Sequence, residues 1–135
     1  MAYTAKDYSN LIGMDGFSET LLKNHFTLYQ GYVTNTNKLN DLLSGKAKDA
    51  TNPEYAELKR RYGFEFNGMR LHEYYFENLG GKTPRDKSGT LAAKLAAVFG
   101  SYDAWEQDFR ATGAMRGIGW VILYQDNVTG GLCNQ

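Results

Sequence analysis

Apolar and semi-polar residues recur along the first part of the chain at Leu21, His25, Leu28, Tyr32, Leu39 and Leu42. Steps of four and three residues trace one face of a helix that turns every 3.6 residues. Ser18, directly after Phe17, offers the side-chain oxygen of a helix cap. Ser44-Gly45 closes the segment, and polar Lys46 to Asn52 reads as a loop. Pro53 then suits the first turn of a second helix, where the amide that proline lacks would have no intrahelical partner. Its stripe runs Leu58, Tyr62, Met69, His72, Phe76 and Leu79, and Gly80-Gly81 followed by Pro84 ends it. The two segments predict a helical hairpin, with a linker from Gly81 to Ser88.

Beyond the linker the elements shorten. Ala-rich Thr90 to Phe99 predicts a helix that stops at Gly100, and Ser101 caps another over Tyr102 to Ala111. The pattern then becomes β-like. Gly119 to Gln125 and Val128 to Cys133 are apolar and β-branched, and Asp126-Asn127 between them has turn chemistry, so a β-hairpin is predicted. The fold class is therefore α+β: an N-terminal antiparallel helical hairpin over 1–82, then an α/β domain with two helices and a β-hairpin over 83–135. No solenoid repeat or low-complexity tract interrupts it.

Composition narrows the function classes. Apolar residues make up 42% of the 135, enough for a packed core. Fifteen basic residues balance fifteen acidic ones, so the basic footprint of a nucleic-acid or membrane-surface binder is missing. No apolar run is long enough to span a bilayer, and Met1 to Tyr8 has no apolar signal-peptide core. Cys133 is the lone cysteine, which excludes an intrachain disulfide and fits a reducing, cytoplasmic setting. Without a secretion signal, the glycosylation sequon Asn127-Val128-Thr129 carries no weight. Much of the aromatic content, ten Tyr, seven Phe and two Trp, lies near the two histidines.

A single histidine on an apolar stripe is most often a core residue, but these two are placed symmetrically. The midpoint between His25 and His72 falls at Lys48-Asp49, inside the predicted loop. In an antiparallel hairpin with a rise of about 1.5 Å per residue, that symmetry puts both at nearly the same height in the seam. Desolvated imidazoles need partners. A metal ion would supply one, and imidazole suits iron, manganese, zinc and copper; a hydrogen bond from a neighbouring Tyr or Asn would serve as well. Tyr32, seven residues after His25, shares nearly the same face. It reads either as a phenol that gates or hydrogen-bonds within a metal pocket, or as a seam aromatic.

Four stretches together resemble a known family. His25 with Gln30-Gly31-Tyr32-Val33-Thr34-Asn35-Thr36-Asn37 is similar to the first-helix motif of the iron/manganese superoxide dismutases. Leu71-His72-Glu73-Tyr74-Tyr75-Phe76-Glu77-Asn78-Leu79 resembles their second-helix motif, and Phe99-Gly100-Ser101-Tyr102-Asp103 and Gly117-Ile118-Gly119-Trp120 their carboxy-terminal signatures. The match runs in order from about Phe17 to Gln135.

The resemblance implies dismutation of superoxide to oxygen and hydrogen peroxide at one manganese or iron ion per chain, in a homo-oligomer. His25 and His72 would be metal ligands, Tyr32 the gateway tyrosine and Trp120 a pocket-lining residue. Phe76 stands where the family usually has Trp. Asn134-Gln135 resembles the strand position from which manganese-type members extend a glutamine towards the metal-bound water. Iron-type members more often carry that glutamine four residues before the second histidine; Gly68 stands there, so the pattern leans to manganese.

The chain also departs from the family pattern. One residue fewer separates His25 from Tyr32, an insertion that can be held as a π-bulge elsewhere. Leu28 and Tyr29 stand where a further histidine often follows. The remaining two ligands, an Asp and a His, come in the family from a later Asp-x-Trp-Glu-His segment. Asp103-Ala104-Trp105-Glu106-Gln107 approaches that segment, but it ends in Gln and precedes the β-hairpin, so it is set aside. The chain is thus expected to supply half of the protein ligands, to oligomerise or pair with a completing segment, and to be a poor dismutase alone. Truncation, a second polypeptide and a shortened inactive relative all account for this. The reading from another class is a non-enzymatic helical-hairpin interaction module, with both histidines in its core. No H-E-x-x-H spacing supports a zinc hydrolase, and no lysine or helix start after Gly119 supports a phosphate loop.

Overall fold

The computed structural model describes residues 2–135. The chain divides into two compact units, Met1–Lys82 and Thr83–Gln135.

The first unit is built on two long helices, α1 (Glu19–Ser44) and α2 (Pro53–Glu77). Ser18 Oγ accepts the Leu21 amide at 3.1 Å and opens α1. Its far end is closed by Lys48, whose ammonium donates to the Leu43 and Lys46 carbonyls at 2.6 and 2.9 Å, a cation where the helix dipole favours one. Asn52 Oδ1 accepts the Glu54 and Tyr55 amides, and Pro53 follows it inside α2. Contacts pass from Asn35–Glu65 through Tyr32–His72 to His25–His72, descending α1 as they climb α2, so the hairpin is antiparallel. α2 stops at Glu77, before the glycine pair. The Asn78 amide bonds the Tyr74 and Tyr75 carbonyls, and Gly80 follows with φ of 80°.

The buried face of α1 is turned from the predicted stripe. Leu22, Tyr29, Val33, Thr36, Leu39 and Leu43 are buried, whereas Leu21 and Leu28 are 52% and 54% exposed and His25 and Tyr32 are half-buried. The cause is polar residues that bury with partners supplied. Thr36 donates its hydroxyl to the Tyr32 carbonyl at 2.7 Å, and Tyr29 finds polar partners described below. Residues before α1 complete this core. Tyr8 and Leu11, around a 3₁₀ turn at Ser9–Leu11, pack with Leu22, Tyr29, Val33, Met69 and Phe76. Each fully buried side chain of this kind stabilises the fold by about 1.5–3 kcal/mol. Upstream, the Asn37 side-chain amide accepts the Tyr3 N–H and donates to the Tyr3 carbonyl, both at 2.8 Å.

The second unit contains α3 (Thr90–Phe99), α4 (Tyr102–Ala114) and the antiparallel strands β1 (Leu123–Gln125) and β2 (Leu132–Asn134). Gly100 between the helices has φ of 91°, a backbone state that favours glycine, and Ser101 Oγ caps α4 through the Ala104 amide. Tyr124 pairs with Cys133 at the centre of the ladder. Both strands are shorter than the apolar runs suggest: β1 starts at Leu123 rather than Gly119, and β2 starts late because Asp126 gathers the turn around itself. Its carboxylate accepts the Val128 and Thr129 amides and the Thr129 hydroxyl, and its carbonyl accepts the Gly130 amide. Val128 therefore lies in the turn, 92% exposed, rather than in a strand. Trp105 Nε1 donates to Asn134 Oδ1 at 3.0 Å and Asn134 Nδ2 donates to Asp108 Oδ2 at 2.7 Å, tying α4 to β2.

Candidate functional site

The hairpin brings four of the sequence-predicted residues together. The His25 and His72 rings are 4.9 Å apart between centroids and inclined at 78°. Tyr32 lies 5.1 Å from His72. Phe76 lies 4.9 Å from His25 and 6.0 Å from His72. α1 is α-helical throughout, with no π-turn between His25 and Tyr32. The seven-residue spacing therefore spans two regular turns, and both side chains border the same seam.

His72 Nδ1 lies 2.6 Å from the Gly68 carbonyl oxygen, one turn back on α2. A carbonyl can only accept, so Nδ1 carries the proton and the lone pair is on Nε2. This is the arrangement in which a backbone acceptor orients an imidazole and raises its basicity as a ligand. Burial holds His72 below the ordinary histidine value, partly offset by that hydrogen bond. Burial also lowers His25, and the neighbouring His72 lowers it further. Both rings are neutral at neutral pH, the form that binds a transition ion.

A shell surrounds the pair, and Phe76 is the one member of it that the sequence singled out. Phe76, 1% exposed, is its hub, touching Tyr8, Phe26, Tyr29 and Tyr75 as well as both histidines. Tyr75 stands 5.2 Å from His25. Behind His72, Tyr29 donates its hydroxyl to buried Glu73, which also takes Arg70 Nη1 at 2.6 Å. Further along α2, buried Glu65 is bound by Arg61. Tyr29 follows His25 by one helical turn and Glu73 adjoins His72, so their spacing was the available signal. Gly68 was visible as the position at which the resemblance leans to manganese-type members, but the contact of its carbonyl with His72 was not.

Two predicted residues belong to the second unit. Trp120 is half-buried there. Gln135 extends the ladder through mutual backbone hydrogen bonds with Ile122, and its side-chain amide donates to Cys133 Sγ at 3.4 Å. Gln135 is exposed, whereas its neighbour Asn134 points to α4.

As a donor set, the two imidazoles fit one end of a transition-metal site: paired, neutral and oriented. Among the described residues, no group of three or more His, Cys, Asp and Glu side chains could hold a metal ion, so they form a partial set. No helix among these residues is long and apolar enough to cross a membrane.

Comparison with known proteins gives concordant results. Residues 87–134 match the family described as iron/manganese superoxide dismutases, C-terminal domain. Manganese superoxide dismutase 1 of Haloferax mediterranei is 30% identical over 104 residues, covering 77% of this chain and 72% of that protein. An iron superoxide dismutase of Aquifex pyrophilus is 34% identical over 136 residues, covering 94% of this chain and 62% of the relative. Another, of Sulfolobus acidocaldarius, is 34% identical over 110 residues, 77% of this chain and 52% of the relative. The chain thus spans roughly half to two thirds of the length of most of the curated relatives it matches.

Proposed function

Because the chain belongs to the iron/manganese superoxide dismutase family, we propose that it takes part in dismuting superoxide to oxygen and hydrogen peroxide at a mononuclear manganese or iron site, with His25 and His72 as two of the ligands. The observation that carries this reading is the imidazole pair itself: two neutral rings 4.9 Å apart, one of them locked by the Gly68 carbonyl with its lone pair on Nε2.

A bound manganese or iron ion supplies a one-electron couple, so that one superoxide is oxidised to oxygen and a second takes that electron with two protons to become hydrogen peroxide. The chain's own groups hold and shield. His25 and His72 would hold the ion, and the Gly68 carbonyl keeps the His72 ring from turning. Phe76 closes the core side of the pair and excludes water there, which strengthens electrostatic interactions at the imidazoles. Tyr32, half-buried against His72, would guide superoxide and pass protons through its hydroxyl, a role supported by its 5.1 Å approach to that ring. Trp120 and Gln135 belong to the second unit, and their roles as pocket aromatic and amide donor rest on the resemblance alone. A bare glycine at position 68 favours manganese in this reading, although the relatives include both metals. The units 1–82 and 83–135 act as its two domains, in a homo-oligomer of the cytoplasm, a setting that the single exposed cysteine suits.

The test is superoxide consumption by the protein loaded with manganese or with iron, measured beside bound metal per chain. Metal binding by the native protein, with low turnover for the chain alone, both lost in His25→Ala and in His72→Ala, is the expected result. Protein that retains turnover without either histidine, or binds neither metal, overturns the reading.

A further inference from the structure

Gly68 is buried in the middle of α2, a place where glycine is a poor helix former. What it meets explains its presence. A Cβ built on it would lie 2.5 Å from both Cδ1 and Cε1 of Tyr32 and 3.0 Å from Cγ, well inside the roughly 3.5–4.0 Å at which carbon atoms rest. The Tyr32 ring therefore lies directly on the bare backbone of α2. It is hemmed in there by His72 at 5.1 Å and Phe64 at 6.1 Å, and the Arg61 guanidinium lies over the Phe64 ring at 4.9 Å. The Tyr32 backbone is held too, since its carbonyl accepts the Thr36 hydroxyl. A methyl at position 68 would be resolved most cheaply by turning the Tyr32 ring away from His72.

From this we infer that Gly68 is a positioning residue that seats Tyr32 against His72 while its carbonyl orients the same histidine. The role rests on the reading of Tyr32 and His72 as site residues. One position on α2 then sets two side chains: the absent side chain fixes where the phenol lies, and the carbonyl fixes which imidazole nitrogen keeps its lone pair. The seat is specific for glycine, because every other residue carries the carbon that the Tyr32 ring excludes.

A double-variant cycle in the full chain tests this, comparing Gly68→Ala, Tyr32→Ala and the pair together. Alanine is the better helix former, so an unoccupied position would gain stability on substitution. The seat predicts the reverse when Tyr32 is present: Gly68→Ala lowers the unfolding midpoint in the native background and raises it in the Tyr32→Ala background. Two readouts address positioning. In the metal-free protein, nuclear Overhauser contacts from the Tyr32 ring to the Gly68 α protons and to the His72 ring are present, and Gly68→Ala abolishes the contact with His72. Titration with cobalt ion alone gives a dissociation constant weakened by about tenfold in Gly68→Ala, the scale of losing an orienting neighbour. If Gly68→Ala does not fold, recovery of folding in the double variant supports the seat. An equal shift in both backgrounds with the Tyr32–His72 contact retained overturns it, as does failure of the double variant together with no Tyr32–Gly68 contact in the native chain. A positive cycle in a protein without dismutase activity would leave the seat standing and remove the functional reading; activity without coupling would do the opposite.

Discussion

The Tyr29 hydroxyl donates to Glu73 Oε1 at 3.0 Å, and both residues are almost wholly buried. The same hydroxyl accepts the Lys6 amide at 3.1 Å, and the other oxygen of Glu73 takes Arg70. The buried side chain of Glu73 is thus held in the seam by one phenol and one guanidinium, with the phenol bridging the helices to the segment before them. Lys6 closes the circle by pairing with Glu77 at 2.6 Å, at the surface end of α2.

Removing that hydroxyl alone is expected to be costly. Tyr29→Phe keeps the ring but strips a donor from Glu73 and an acceptor from Lys6. A buried group left short of a partner, especially a charged one, costs about 1.5–3 kcal/mol. The urea midpoint should fall accordingly with an unchanged slope, and a loss below a few tenths of a kcal/mol would show that water replaces the hydroxyl.

The histidine pair should bind divalent metal as a unit. His25→Ala and His72→Ala are each expected to weaken cobalt binding by at least about tenfold, since even an orienting neighbour contributes that much. Calorimetric titration of the metal-free protein measures it. An unchanged affinity in either variant would place the bound ion elsewhere.

Acid should destabilise the metal-free protein through the same two rings. Burial lowers both below the ordinary histidine value of 6.5. Between that value and the folded-state values, the unfolded chain binds more protons than the native one. Stability therefore rises with pH across this window and is lost as pH falls through it. The expected urea midpoint is level above about 6.5 and declines below it. The decline should flatten in the double variant His25→Asn/His72→Asn, before the carboxylates begin to titrate.

Phe76→Trp carries a less intuitive expectation. The family usually has tryptophan at this position, yet here six aromatic or imidazole rings surround Phe76 at 4.8–6.0 Å. A larger ring has no space that Tyr8, Phe26 and Tyr29 do not already fill, and such overpacking costs about 1–3 kcal/mol. Thermal unfolding should show a lower midpoint; a higher one would mean that the neighbours have room to move.

The sequence carried the helices, two of their caps and the hairpin symmetry, because each depends on local chemistry: Ser18 and Ser101 as caps, Pro53 at a helix start, Gly100 at a stop. It carried the α2 stripe through Met69, His72 and Phe76. The face of α1 was displaced by one position because a hydrophobicity pattern scores Thr36 and Tyr29 as polar, whereas both bury once Tyr32 and Glu73 satisfy their hydroxyls. The second strand was overextended because Asp126 organises the turn before it through side-chain bonds that an apolar count does not weigh. The closeness of His25 and His72 followed from arithmetic about the loop. The seating of Tyr32 on Gly68 did not, since a pattern along one helix carries no information about which ring of the other lies on a glycine.

The clasp between Asn37 and Tyr3 has a consequence for how the first unit opens. Asn37 offers Tyr3 the same acceptor and donor that a neighbouring β-strand would, each at 2.8 Å, and the Lys6 amide is held by a phenol whose ring lies in the core. Neither amide belongs to a helix or a strand, yet each is held by a side chain of α1. Amide exchange at Tyr3 and Lys6 should therefore track release of this segment from α1, rather than the fast local fraying usual for residues beyond the last regular element. Those two protons are natural reporters of when the segment carrying Tyr8 leaves the rings around Phe76.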